Sequence, residues 1–280
     1  ALSKFGKAIP LVGGLMSLAD MIAAMRDMGN RGLLLRNGVE FLAALLGIIA
    51  ILLAGVLSAK VILLLSLLSA MLAFCFAIAF CARAFGEPHM VTADGAHFSY
   101  QGVGEFWAVR SRDGSFDVQV RQEPLRSVAF TTAAAVRLGE SMVELYSTDQ
   151  RVVVDGVPLD LVVGQSHALG GDAIVLRLGE STYRVLASDG ESGIEVDLRR
   201  YMPVTVAATE AMAAKVGGLY GTFDGNPENE WTTPDGTVLE MNGDGALERL
   251  HREFGPSWRV AAEDLLLDGP SVWEPGFPEA

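Results

Sequence analysis

The chain has 280 residues, enough for two domains or for one large all-β domain. Residues 1–85 hold seven Lys/Arg and three Asp/Glu (net +4), whereas residues 86–280 hold fourteen and thirty-one (net −17). A region with a charge of −17 repels nucleic-acid phosphates, which excludes a nucleic-acid partner. The two cysteines, Cys75 and Cys81, precede residue 86, so residues 86–280 contain neither a disulfide framework nor a zinc–thiolate site.

The first 40 residues combine one apolar segment with a basic connector. Residues 8–25 are apolar apart from Asp20, a pattern typical of a membrane span, an interfacial helix or a packed hairpin. Residues 26–40 contain three arginines. Basic residues favour the cytoplasmic side of a membrane, so the connector is expected there.

The segment 41–82 is apolar throughout, with Lys60 as its single charge. About 20 apolar residues cross a bilayer, so this segment predicts two transmembrane helices, 41–59 and 61–82, with the lipid bilayer as partner. If residues 8–25 lie on the surface, the C-terminal domain returns to the cytoplasm. If they form a third span, that domain is extracellular, and the sequence leaves both topologies open.

From His89 onward, short runs of alternating polar and apolar residues are separated by Asp-Gly and Gly-Gly turns. This period-two pattern predicts an antiparallel β-sandwich or meander. Helical pattern returns at 209–216 and 246–254. The predicted fold class is therefore α plus all-β, with a helical membrane region (1–85), a β domain (86–260) and a C-terminal tail (261–280).

The segment 217–236 is an acidic loop rich in Gly, Asn and Pro. Such a composition is typical of an ordinary surface turn. Closely spaced oxygen ligands on a loop that bends at glycine also suit a hard cation such as calcium, although the spacing is not that of an EF-hand. Composition alone leaves both interpretations open.

Three segments in order resemble the von Willebrand factor type D (VWD) domain family. Residues 86–89 (GEPH) precede a short strand and an Asp-Gly turn, as at the start of that family. Residues 218–225 (GLYGTFDG) resemble its second signature, and residues 254–258 (FGPSW) resemble its closing segment. The family has a calcium site at the second signature. The resemblance therefore implies Ca²⁺ as cofactor, held by side chains of Asp94, Asp224 and Asn229, by the backbone carbonyl of Asn226, and by Glu230 and Thr222.

Tyr220 stands where the family has a cysteine, so the domain resembles a cysteine-free, bacterial-like version. The histidines lack the paired spacing of a metal or catalytic site. The Ser-His pair lacks a nucleophile elbow, so no enzymatic activity is expected. Trp258 is expected either to anchor a partner or to cap the core.

The predicted function is a membrane-anchored, calcium-binding structural or adhesion module, with its C-terminal domain extracellular. It would bind a protein partner or self-associate. The alternative is a translocation hairpin and scaffold domain of a larger secreted protein that resembles polymorphic toxins.

Overall fold

The computed structural model describes residues 80–213 and 215–269, which form a β-rich domain. Its strands, in chain order, are β1 (Phe80–Phe85), β2 (His89–Val91), β3 (His97–Ser99), β4 (Gly104–Ser111), β5 (Phe116–Leu125), β6 (Val128–Leu138), β7 (Ser141–Tyr146), β8 (Val152–Val154), β9 (Val157–Leu159), β10 (Ser166–Ala168), β11 (Ile174–Arg177), β12 (Thr182–Leu186), β13 (Gly193–Asp197), β14 (Val204–Ala208) and β15 (Val216–Gly217).

The helical segments are short. They are a 3₁₀ turn (Gly170–Asp172), α1 (Glu210–Ala213), α2 (Ala246–Arg249), a π-helical turn (Leu250–Phe254), α3 (Gly255–Ser257) and a second 3₁₀ turn (Ala262–Asp264). Both stretches with a helical sequence pattern therefore contain helix.

The strands form two antiparallel sheets. One has the spatial order β10-β11-β12-β13-β14-β1-β2-β3, and the other has the order β15-β4-β5-β6-β7-β8-β9. Buried side chains from both, such as Val206 on β14 and Val118 on β5, belong to one hydrophobic cluster. Two sheets that share a core form a sandwich, and the predicted antiparallel β-sandwich is confirmed.

Strand β1 revises the predicted end of the membrane region. Phe80, Ala82 and Ala84 are buried while Cys81, Arg83 and Phe85 face outward, and the strand pairs with β14 and β2. Residues 80–82 of the predicted span 61–82 therefore lie in a sheet, because an apolar run that alternates at its end fits a strand as well as a helix.

The remaining predicted spans, 8–25, 41–59 and 61–79, lie outside the described residues. None of the helices in the described ranges is long and apolar enough to cross a bilayer. Strand β1 also brings the free thiol of Cys81 into the β domain, so the domain is not cysteine-free as predicted.

The segment 262–269, expected to belong to a tail, packs on the outer face of the second sheet. Gln119 on β5 is buried, and its side chain donates to the carbonyl of Asp264 (2.7 Å) and accepts from the N–H of Leu266 (2.9 Å). The N–H of Asp268 donates to Glu144 Oε2 on β7 (2.9 Å), and Leu266 and Leu267 are buried. This covering explains why polar side chains on the outward face of β5 are inaccessible to solvent.

Gln119→Leu tests this attachment. We expect a loss of about 1–3 kcal/mol in the free energy of unfolding, because the buried N–H of Leu266 and the partly buried carbonyl of Asp264 lose their partner. Urea denaturation of the full chain measures it. Gln165→Leu is the control, because its side-chain hydrogen bond to the N–H of Val162 is exposed and water can replace it, so stability should change by no more than about 0.5 kcal/mol. Equal losses in the two variants would contradict the attachment.

Candidate metal centre

The acidic loop 217–236 is fixed at its start by strand β4. A register shift between Trp107 and Val109 marks a bulge there, and the carbonyls of Trp107 and Ala108 accept from the N–H groups of Leu219 (2.9 Å) and Tyr220 (3.1 Å). Bulges re-aim a strand next to functional loops. Gly218 approaches this bulge so closely that a Cβ would lie 2.2 Å from the carbonyl oxygen of Ala108, which explains the glycine.

Hydrophobic anchors then hold the loop against the core. Leu219, Tyr220 and Phe223 are buried, and Phe223 adopts a left-handed conformation (φ 58°) that reverses the chain before Asp224. The loop's polar residues are therefore presented from a rigid base rather than from a free turn.

Asp94 reaches this loop from the turn between β2 and β3. Its Oδ2 accepts hydrogen bonds from the backbone N–H groups of Asp224 (3.1 Å) and Gly225 (3.0 Å). Gly225 has φ 82°, a conformation that favours glycine. The structure thus brings together two residues that are 130 positions apart in the sequence.

Side-chain oxygen atoms of three other predicted ligands gather around Thr222. Its Oγ1 lies 3.0 Å from Asn229 Oδ1, 3.3 Å from Glu230 Oε1 and 3.4 Å from Asp224 Oδ1. The Asn229 amide also donates to Asp224 Oδ2 (2.7 Å). One hydroxyl has a single proton to donate, so most of these oxygens face each other without a proton between them.

Asn226 differs from the others. Its side-chain oxygen caps the N–H of Glu228 (3.1 Å), and its carbonyl accepts from the N–H of Asn229 at 3.4 Å. The side chain therefore stabilises the turn and stays out of the oxygen cluster, and only the carbonyl remains as a ligand candidate.

Glu230 is fully buried, and its Oε2 has no hydrogen-bond partner among the described residues. Burial, and then the neighbouring Asp94 carboxylate, raise the pKa of Glu230 to about 8. Burial likewise raises the pKa of Asp94. Two adjacent carboxyl groups that resist ionisation form an environment that a cation stabilises, so these residues fit a divalent ion.

Carboxylates would not complete the coordination alone. Within 80–213 and 215–269, no three Asp, Glu, His or Cys side chains are placed to hold one metal ion together. Hydroxyl, amide and backbone oxygens would have to contribute, as calcium accepts and zinc does not.

Thr92 is a contributor that the sequence did not predict. It is buried, its hydroxyl accepts from the N–H of Ala96 (2.9 Å), and its proximity to Glu230 opposes the rise in the Glu230 pKa. Its position two residues before the predicted ligand Asp94 is the sequence feature that could have indicated its role.

A search of known proteins gave consistent matches. A profile of the von Willebrand factor type D domain family matches residues 82–237. The chain is 27% identical over 199 residues to human Sushi domain-containing protein 2, and the match covers 66% of this chain and 24% of that protein. It is 28% identical over 197 residues to SCO-spondin from Gallus gallus (69% of this chain, 3% of that protein).

Human Mucin-4 is 28% identical over 201 residues, which covers 65% of this chain and 4% of that protein. The chain thus spans a quarter or less of the length of these relatives. They come from animals, so they give no support to the predicted bacterial-like version.

The raised pKa of Glu230 makes stability depend on pH. In chelator, folded Glu230 keeps its proton up to about pH 8, whereas the unfolded carboxyl loses it near pH 4.5. The stabilising contribution is therefore full below about pH 4.5 and is lost as the pH rises to about 8. We expect the unfolding free energy of the native chain, relative to Glu230→Gln, to fall across this range.

Urea denaturation of both proteins at pH 5.5 and pH 8 measures this difference. Glu228→Gln, which removes an exposed carboxylate from the same loop, is the control. Its difference in unfolding free energy from the native chain should be the same at both pH values. If the difference in unfolding free energy between the native chain and Glu230→Gln were the same at pH 5.5 and pH 8, the raised pKa of Glu230 would be contradicted.

Proposed function

The chain belongs to the von Willebrand factor type D domain family, and on that premise we propose that it is a non-enzymatic adhesion or assembly module stabilised by calcium. One observation carries the calcium part of the proposal: Asp94 contacts the backbone of the acidic loop while the buried Glu230 has an unpaired oxygen. The ion itself would supply positive charge, and six to eight oxygen atoms would coordinate it.

Each ligand would act in a distinct way. Asp94, Asp224 and Glu230, which are not placed around one point in this structure, would have to draw together to neutralise the ion, and Asn229 and Thr222 would add neutral oxygens. Because Asp94 belongs to the β2–β3 turn and the others to the loop, the ion would join two separate parts of the sandwich. Calcium would therefore stabilise the domain rather than carry out chemistry.

The extracellular side is the proposed location of this domain. Extracellular calcium modules bind with dissociation constants of about 10⁻⁴–10⁻³ M, which suits a site with neutral ligands. The similarity to SCO-spondin and mucins agrees with a structural or adhesive role. Protein partners or further copies of the chain are the proposed ligands.

Membrane anchoring is proposed from the apolar residues 41–79, since strand β1 begins at Phe80. An anchor would hold the adhesive domain at a surface. The toxin-like alternative concerns residues 1–85, most of which lie outside the described residues, and no structural observation favours it.

Calcium should raise the melting temperature of the full chain. Saturation at twenty times the dissociation constant contributes about 1.8 kcal/mol, which shifts the midpoint by several degrees. Differential scanning calorimetry in 2 mM calcium and in chelator measures the shift. Asp224→Ala should abolish it, and Asp244→Ala, in a neighbouring exposed turn, should retain it. Equal melting temperatures in calcium and chelator would refute the calcium site.

A membrane anchor predicts the cell fraction in which the chain is found. Protein lysed without detergent should sediment with membranes, because about 20 apolar residues per span partition into lipid. Protease added to intact cells should digest the domain 80–269 if it is extracellular. Recovery of the chain in the soluble fraction would overturn the anchor, and full protection of the domain would place it inside.

A further inference from the structure

A groove of about 620 Å³ lies between the loop segment 222–236 and the ends of strands β4, β5 and β6. Three arginines line it: Arg110, Arg112 and Arg137. Such a volume is typical of a site for a small ligand or a short peptide segment. Since residues 86–280 carry a net charge of −17, a groove with three guanidinium groups is unlike most of this region.

The arrangement follows from the strand register. Arg110 on β4 and Arg137 on β6 both pair with Asp117 on the central strand β5. Asp117 is buried, and its Oδ1 accepts from the N–H of Ser111 (2.8 Å) while its Oδ2 binds Arg137. This carboxylate is therefore fully used by Ser111 and Arg137, and it does not neutralise the other two arginines.

Those two arginines are available to a ligand. Arg112 is exposed and forms no ion pair with any described residue. Arg110 pairs with Asp264 at 3.2 Å, but both side chains are about 40% exposed or more, so this pair is weak. A guanidinium binds a carboxylate through two parallel hydrogen bonds, which makes carboxylates the fitting ligand class.

The aromatic side chains at the groove favour a peptide over a sugar. Sugar rings stack on open aromatic faces, but Trp258 is 7% exposed, and its indole N–H donates to the carbonyl of Thr232 (3.2 Å). Trp107 nearby is also buried, with the Arg110 guanidinium 4.5 Å over its ring. No stacking platform is therefore open here among the described residues.

We propose that this groove binds an acidic segment of a partner protein, with its Asp or Glu carboxylates on Arg112 and Arg110. The site gives the proposed adhesive module a partner class and rests on that proposal for its biological role. Arg110 lies on β4 and Arg112 lies in the turn that follows it, and neither belongs to the acidic loop, so calcium is not required for binding. Thr222, Asp224 and Asn229 form the opposite wall, so calcium would adjust the width of the groove.

Fluorescence anisotropy of the full chain in detergent micelles tests the site. The probe is a labelled ten-residue peptide of alternating Asp and Gly, compared with the same peptide in which Asn replaces Asp. We expect binding by the Asp peptide alone, weakened about five- to tenfold in Arg112→Gln, because one bidentate contact is lost. The matched control is Arg126→Gln, an exposed arginine in the β5–β6 turn, which should bind like the native chain.

Three results would overturn the proposal. They are no binding of the Asp peptide at millimolar concentration, equal weakening in Arg126→Gln, and displacement of the peptide by glucuronic acid at a lower carboxylate concentration than by unlabelled Asp peptide. Asp224→Ala tests the calcium site by its melting shift, and Arg112→Gln tests the groove by peptide affinity. Each proposal can therefore fail without the other.

Discussion

The Asp94 carboxylate accepts hydrogen bonds from two consecutive backbone amides, those of Asp224 and Gly225, and so ties the β2–β3 turn of one sheet to a loop that leaves the other. Hydrogen bonds to a charged group contribute about 1.5–3 kcal/mol each. The position of the acidic loop depends on this contact, and with it the gathering of oxygens around Thr222 and one wall of the arginine groove.

Buried polar groups in this domain fall into two kinds. Gln119 and Asp117 have their hydrogen-bonding capacity met by backbone or by an arginine, so they fix the register of neighbouring segments. Glu230 is different, because it is fully buried with one oxygen unpaired. An ionised group in that state is costly, which explains why its pKa rises and why a cation there would stabilise the fold.

The acidic loop and the arginine groove share residues, so the proposed calcium site and the proposed recognition of a partner would be connected. Thr222, Asp224 and Asn229 face the oxygen cluster and also line the groove. A cation that neutralises Asp224 would leave the arginines less compensated and so strengthen attraction for carboxylates. In a domain of strongly negative charge, this groove is where the proposed acidic partner would approach.

The sequence by itself determined the sandwich, because two-residue periodicity and turn residues encode strands locally, and the ordered motifs indicated the family. The same motifs selected Asp94, Asp224 and Glu230 as neighbours. Tertiary structure decided what depends on pairing at a distance. Phe80–Phe85 became a strand because β14 and β2 offer edges that a local apolar pattern cannot reveal. The segment 262–269 packs against Gln119, and strand register places Arg110 and Arg137 on either side of Asp117, both through contacts between residues far apart in the chain.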